Sequence, residues 1–354
     1  MGTLRPHQHE AVPLLAVPSG QARERWWTRG RITCAAALAA LVCAVVLLHG
    51  GALRAPLVGD DYFFVEKATH ASFAQLIAPR ELVSNFYRPW SRELHFAAIY
   101  HVAGLDPFLY HVVNLVLAVA CLVLFFLYAR RVAGARVAAV ATASAATFPA
   151  WSLFVSWASC SQDLWMAVWA LLALHAATRE RKWLTTFAFV LALLSKETAA
   201  ALPLVMLAEA RFIRRRAWPS IVTAAVPLSL ALAVWAALHP QLGGGLGHVR
   251  GAAVQVGLHP AAGAILKGTL LSLVQFDAWP QPELGWPHTL YRALPGGLAL
   301  LAFLVLALRL EPGGSLADES RGRARVGAVG RIWAVALWLP LAMPTIGWHA
   351  YYGT

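Results

Sequence analysis

The sequence predicts an all-α integral membrane protein, a polytopic bundle of about nine transmembrane helices whose first outer loop carries interfacial helices. Three observations support this prediction. Of the 354 residues, 59% are hydrophobic and only 13% are charged, and the mean hydropathy is +0.59. This composition lies outside the range of soluble domains. Several apolar runs also approach the length that crosses a ~30 Å hydrocarbon layer as a helix, and none alternates like a barrel strand.

The longest apolar runs give the order of the spans. They cover residues 32–49, 107–129, 163–177, 218–238, 291–308 and 332–347. No small-residue cleavage site follows the first run, so we expect it to be retained as a span and not removed as a signal peptide. Residues 1–31 are then a cytoplasmic N-terminal tail, and residues 32–350 form the transmembrane domain.

Positive charge is concentrated in short segments between these runs. Most of the 29 lysines and arginines lie within residues 23–31, 130–136, 179–182, 211–216 and 309–331. The positive-inside rule assigns such segments to the cytoplasm. The formal charge of +12 therefore reflects topology and does not indicate nucleic-acid binding. We expect a multi-pass protein of the plasma (inner) membrane, with a cytoplasmic N-terminus, a basic cytoplasmic loop at 309–331 and an extracytoplasmic active face.

Two apolar stretches do not fit a simple series of spans. Residues 183–212 begin and end in basic segments, yet carry Ser195, Lys196 and Glu197 at their centre. We predict two short helices with these three residues at an outer turn, either slightly below the membrane surface or where the bilayer thins. Counting residues 261–276 as a span would place the basic loop outside. We therefore predict a second outer loop at 239–290 with an interfacial helix.

The remaining features of the chain are few. Its four cysteines are scattered, so we predict neither a disulfide framework nor a metal site of cysteine spacing. Residues 351–354 form an abrupt outer C-terminus just after a predicted span. We expect either a naturally short protein or a truncated gene product.

Ionisable residues gather on the predicted outer face. The first outer loop, 50–106, opens with Asp60 and Asp61, and such a pair can act as a general base, bind a divalent cation or be solvated. Arg88 in the same loop has a planar fork of donors suited to phosphate oxygens, although an interfacial arginine can also snorkel. The full set of predicted site residues is Asp60, Asp61, Arg88, His111, Asp163, Lys196 and Glu197.

The other predicted site residues also have structural interpretations. His111 and Asn114 lie one turn apart at the outer end of a span, where they could form hydrogen bonds between helices. Asp163 could cap the helix that follows it. Lys196 and Glu197 are costly in a membrane hairpin unless they pair or serve a site.

These residues recur in a pattern that resembles the GT-C membrane glycosyltransferases, particularly the protein O-mannosyltransferase-like and transmembrane-and-tetratricopeptide mannosyltransferase-like group. The resemblance covers most of residues 32–350. It rests on Gly59-Asp60-Asp61-Tyr62, Tyr87-Arg88-Pro89, Tyr100, Gly104-Leu105-Asp106-Pro107-Phe108, Tyr110-His111-Val112-Val113-Asn114-Leu115, Ser161-Gln162-Asp163-Leu164, Leu193-Leu194-Ser195-Lys196-Glu197 and Leu202-Pro203.

The resemblance implies that a sugar moves from a polyprenyl-phosphate-linked donor to an acceptor on the non-cytoplasmic face. Asp60 and Asp61 resemble the acidic pair of the family's first outer loop. Arg88 and Lys196 resemble cations that hold the lipid phosphate. The implied partners are a lipid-linked sugar donor, a protein or glycan acceptor and membrane lipids, with no nucleic acid; a divalent cation is the one cofactor left open.

Two departures from the family pattern keep other functions open. Ser161-Gln162 stands where relatives commonly have Gly-Arg, and the carboxyl-terminal part, including any tetratricopeptide array, is missing. A non-catalytic or truncated GT-C relative is therefore one alternative. A secondary transporter is another, disfavoured because we find no paired broken helices of the inverted-repeat type.

Overall fold

A computed structural model describes residues 20–79, 86–148, 150–239 and 285–310, together with residues 327 and 330. Within these ranges the chain forms helices and no strand, so the all-helical prediction is confirmed. The predicted interfacial helix at 261–276, the span at 332–347 and the C-terminus at 351–354 lie outside the described residues. So do residues 1–19 of the predicted tail and nearly all of the predicted basic loop.

The described helices include several that could cross a membrane. Three are long and apolar enough by themselves, at Arg31–Arg54, Pro107–Ala133 and Trp218–Leu238. A fourth candidate is the pair Ala135–Ala146 and Ala150–Ser156, which is bent by 60°. Spans of this length indicate a membrane protein.

The first half of the chain alternates long helices with short ones. Helix α1 spans Gly20–His49 and therefore begins before the predicted span at residue 32; a 3-10 turn at Gly50–Arg54 follows it. The predicted outer segment contains α2 (Asp60–His70), α3 (Phe73–Ile77), a π-helical turn (Pro89–Leu94) and α4 (His95–Ala103). Helices α5 (Pro107–Ala133), α6 (Ala135–Ala146) and α7 (Ala150–Ser156) come next.

The second half contains the predicted break in residues 183–212. After a 3-10 turn at Ala158–Cys160 come α8 (Ser161–Thr178) and α9 (Lys182–Leu193). A 3-10 turn at Glu197–Ala201, α10 (Leu202–Ala208) and a π-helical turn at Glu209–Ile213 complete the stretch. The structure thus has two short helices separated by Ser195, Lys196 and Glu197, as the sequence predicts. Helices α11 (Trp218–Leu238) and α12 (Gly285–Leu308) follow.

Local sequence sets the ends of α5. The Asp106 side chain accepts a hydrogen bond from the backbone N–H of Phe108 at 3.0 Å, and Pro107 occupies the first turn, where its missing N–H costs nothing. Gly134 ends the helix with a φ of 86°, which a glycine adopts without a Cβ clash. The end of α5 is therefore fixed beside its last arginines, Arg130 and Arg131.

Two apolar cores join the helices. The larger one draws on α1, α5, α6, α8 and α12, and in it the rings of Phe126 and Phe303 lie 5.2 Å apart in an edge-to-face contact. The second core packs α8 to α11 around Phe189 and Trp235. Helix α8 contributes to both cores, so it holds the two groups of helices together.

A glycine on α12 allows α1 to pack closely. A Cβ at Gly296 would lie 2.6 Å from Cγ of Leu48 and 3.3 Å from its backbone nitrogen, whereas a Cβ at Gly297 would meet nothing within 4 Å. Close helix approach through small residues is common in membrane bundles.

We expect Gly296→Leu to destabilise the protein by about 1–3 kcal/mol, because the new side chain overpacks the α1–α12 contact. Gly297→Leu is the matched control and should change stability far less. Thermal unfolding of both variants in the same detergent measures the difference. Equal unfolding temperatures would contradict the close packing of α1 against α12.

Candidate functional site

Asp60 and Asp61 open helix α2 and have different surroundings. Gly59, with a φ of 51°, turns the chain, and both aspartates lie in the first turn of the helix, where negative charge is favourable. The helix begins at Asp60 itself. Asp60 is exposed, whereas Asp61 is fully buried. The two carboxylates therefore cannot play identical roles.

Asp61 is anchored to the start of the 3-10 turn before α8. Its Oδ1 accepts hydrogen bonds from the backbone N–H of Ser159 at 2.7 Å and from the Ser159 hydroxyl. Its Oδ2 accepts from the backbone N–H of Val58 at 3.0 Å. Burial raises the pKa of the Asp61 carboxyl above its ordinary value of 3.8, although these hydrogen bonds oppose that shift. Neither Arg88 nor Lys196 contributes to the pKa shift, so burial decides its direction.

Arg88 and Glu197 form a buried ion pair across the fold. Nε of Arg88 lies 3.0 and 2.9 Å from the two carboxylate oxygens of Glu197, and NH2 donates to Oε2 at 2.5 Å. NH1 donates to Oε1 of Gln162 at 2.7 Å. The side chains of Arg88 and Glu197 are 9% and 5% exposed. Gln162 stands where relatives of the resembled family commonly have an arginine. Here its side chain accepts a hydrogen bond from Arg88.

A second ion pair joins Lys196 to Asp163, the third residue of α8. The structure gives α8 no capping side chain, so Asp163 acts through this pair and not as a cap. The Asp163 side chain is 32% exposed and that of Lys196 is 6% exposed. Of the two ion pairs, this one therefore has a partner that reaches the surface.

Backbone and hydroxyl contacts hold these segments together. The Ser91 hydroxyl donates to the carbonyl of Ser195 at 2.7 Å, and the Ser161 hydroxyl donates to the carbonyl of Ser91 at 3.0 Å. The N–H of Trp90 donates to the carbonyl of Leu194 at 3.3 Å. The π-helical turn after Arg88 is thereby fixed to both α8 and the turn that carries Lys196 and Glu197.

Ser159 connects the two parts of the site. Besides binding Asp61, it accepts a hydrogen bond at its carbonyl from Nε2 of Gln162 at 3.0 Å. A continuous path of hydrogen bonds therefore runs from Asp61 through Ser159 and Gln162 to Arg88 and Glu197. We define the polar network as Asp61, Arg88, Ser159, Gln162, Asp163, Lys196 and Glu197.

His111, which the sequence placed among the substrate-binding residues, lies outside this network. It is fully buried, with Nδ1 2.9 Å from the carbonyl oxygen of Val155 and Nε2 2.9 Å from that of Ala55. Asn114 likewise donates to the carbonyls of Phe154 and Trp157. Both side chains therefore connect α5 to neighbouring backbone segments. Hydrogen bonds between segments are the structural interpretation that their spacing, one turn apart, also allowed.

Sequence reasoning missed several members of the site. Gln162 and Ser159 are uncharged, and nothing in the sequence around them indicates which side chains they contact. His239 lies at the end of α11 with Nε2 3.5 Å from Oε1 of Glu197, a distant pairing that no local pattern indicates. Glu93 is buried and binds Lys67 at 3.2 Å and Nε of Arg92 at 2.7 Å. Alternating charges at Arg92 and Glu93 were the one available signal for this last cluster.

Comparison with known proteins gives no relative for this chain. No family model, no curated protein sequence and no solved structure matches it. Within the described part of the chain, no group of three histidine, cysteine or acidic residues could hold a metal ion. Any function must therefore be argued from the polar network itself.

Removing one partner of the Arg88–Glu197 pair should be costly. We expect Glu197→Gln to lower the free energy of unfolding by about 3–5 kcal/mol, because the buried guanidinium loses its counter-charge. Glu180→Gln removes a carboxylate from an ion pair with Arg216 in which the Glu180 side chain is 68% exposed, and should cost less than about 1 kcal/mol. Chemical unfolding in one detergent compares them. A similar loss in both would contradict the burial of the pair.

The raised pKa of Asp61 predicts a pH dependence of stability. The stabilisation that this carboxyl contributes is fully present below its unfolded pKa, near 3.8, and is lost as the pH rises through the higher folded pKa. We therefore expect the stability advantage of the parent over Asp61→Asn to shrink from acidic to neutral pH. Thermal unfolding of both proteins across that range measures it. An advantage that grows with pH would contradict the direction of the shift.

Proposed function

We propose that this protein is a membrane glycosyltransferase with a GT-C-like bundle of about nine spans. It moves a sugar from a polyprenyl-phosphate-linked donor to a protein or glycan acceptor on the non-cytoplasmic face. The observation that carries the proposal is an exposed carboxylate, Asp60, followed directly by a buried one that belongs to a polar network with two cations. Four separate chain segments supply that network, at residues 61, 88, 159–163 and 196–197.

The acidic pair supports a division of labour. Asp61 is fixed by three hydrogen bonds and positions the first turn of α2. Asp60 is exposed in that turn and takes the proton from the acceptor hydroxyl. As the acceptor oxygen forms its bond to the anomeric carbon, the bond from that carbon to the phosphate oxygen breaks. The electron pair leaves with the polyprenyl phosphate, so a carboxylate base and a cation are needed at opposite ends of the reaction.

Lys196 is the cation of the network whose acidic partner is partly exposed. Its partner Asp163 is partly exposed, so a lipid phosphate can approach this ion pair from outside the bundle. Arg88 instead holds Glu197, whose side chain is 5% exposed, and Gln162. In the proposal, Lys196 contacts the leaving phosphate, and Arg88 keeps the turn that carries Lys196 in place and adds positive charge behind it.

Transfer assays on purified protein in lipid vesicles test this proposal. With a panel of synthetic polyprenyl-phosphate sugars, Asp60→Asn should slow transfer by about 10²- to 10⁴-fold, because the base is lost. Donor binding should remain. Asp61→Asn should slow transfer less, and Glu66→Gln, at an exposed site on the same helix, should not slow it.

The other outcomes separate the alternatives. Parent-rate transfer by both Asp60→Asn and Asp61→Asn would overturn the catalytic role of the pair. No consumption of any lipid-linked sugar by the parent protein would favour a non-catalytic relative. Solute uptake into vesicles without sugar transfer would favour a transporter.

A further inference from the structure

A cavity lies between the ends of α9, α10 and α11, far along α9 from the polar network. Its volume is about 110 Å³. Since a single water needs only about 10–15 Å³ of such space, the cavity can admit a group the size of a phosphate with part of a chain attached. Residues from four helices, α8 to α11, line it, so it is a feature of the packed bundle and not of one loop.

One end of the cavity is cationic. Lys182, Arg214 and Arg216 line it together with a single acid, Glu180. Arg214 is held in place, because NH1 donates to the carbonyl of Ala177 at 2.7 Å and Nε lies 3.3 Å from Oε1 of the buried Glu209. Arg216 pairs with Glu180.

Lys182 supplies the charge that is not compensated. It is exposed, and among the described residues no acid forms an ion pair with it. Glu180 and Glu209 offset Arg216 and Arg214, which leaves one positive charge at this end of the cavity. Thr185, Thr186 and Ser220 also line the cavity.

The remaining wall is apolar. Pro203, Met206, Leu207, Ile221, Ala225 and Leu228 line it. Helix α11, to which three of these residues belong, is one of the helices long enough to cross a membrane. The apolar wall therefore continues from the cationic end into the depth of a hydrocarbon layer, and only an amphiphilic anion matches both parts.

We propose that this cavity is a binding site for an anionic phospholipid of the surrounding membrane. The phosphate headgroup contacts Lys182 and Arg216, and part of one acyl chain packs along Met206 and Leu228. The basic segments at 179–182 and 211–216 flank the site, and they are segments that the positive-inside rule places at the cytoplasmic face. The site is thus separate from the polar network and independent of the proposed glycosyl transfer.

Lipid binding to the full-length protein in detergent, followed by native mass spectrometry, tests this site. Phosphatidylglycerol should bind at least about tenfold more tightly than phosphatidylcholine, because the cations favour an anionic headgroup. The double variant Lys182→Gln with Arg216→Gln should lose most of this preference. Arg31→Gln with Arg136→Gln, which removes two exposed arginines that do not line the cavity, should keep it.

A second variant tests the apolar wall separately from charge. Ala225→Phe fills the cavity and should weaken phosphatidylglycerol binding about tenfold, while Val226→Phe, at an exposed neighbouring position, should not. Equal binding by parent, double variant and Ala225→Phe would overturn the site. Competition by inorganic phosphate at the same concentration as the lipid would overturn the lipid assignment in favour of a small soluble anion.

Discussion

The ion pair between Arg88 and Glu197 is the constraint on which the polar site depends. The two residues are 109 positions apart in the sequence and almost fully buried, so both charged groups are largely desolvated. Such a pair persists only when its geometry is good and the remaining donors are satisfied. The Arg88 guanidinium meets both conditions. Its Nε contacts both carboxylate oxygens of Glu197, its Nη2 contacts one of them, and its Nη1 donates to Gln162. The pair fixes the first outer segment against α8 and the turn after α9.

The hydrogen bonds around this pair explain why the neighbouring residues can be placed so closely. Gln162, which binds Arg88, also donates a hydrogen bond to the carbonyl of Ser159. The backbone N–H of Ser159 in turn donates to Asp61. Asp60, next to Asp61, stays exposed at the start of α2. An accessible carboxylate beside a rigid set of buried groups is the arrangement that a positioned base requires, since pre-organised groups cost no reorganisation during the reaction.

The sequence predicted the elements better than the contacts. The break at Ser195, Lys196 and Glu197 could be predicted because ionisable residues interrupt an apolar run that returns to a basic segment. Asp60, Asp61, Arg88, Asp163, Lys196 and Glu197 stood out because charge is rare here. The pairing of these charged residues could not be predicted, because each ion pair joins segments that are distant in the sequence. The contacts of His111 could not be predicted either, because its partners are the backbone carbonyls of Ala55 and Val155, which leave no trace in side-chain patterns.

The polar network and the cationic cavity lie at opposite ends of α9. If the polar network faces the outside, these two ends must lie on opposite sides of the membrane. Cysteine labelling in a cysteine-free background measures this directly at two exposed positions. Asp60→Cys should react with a membrane-impermeant maleimide added to intact cells, whereas Lys182→Cys should react only after permeabilisation. Labelling of both from the same side would contradict the assignment of the polar network to the outer face.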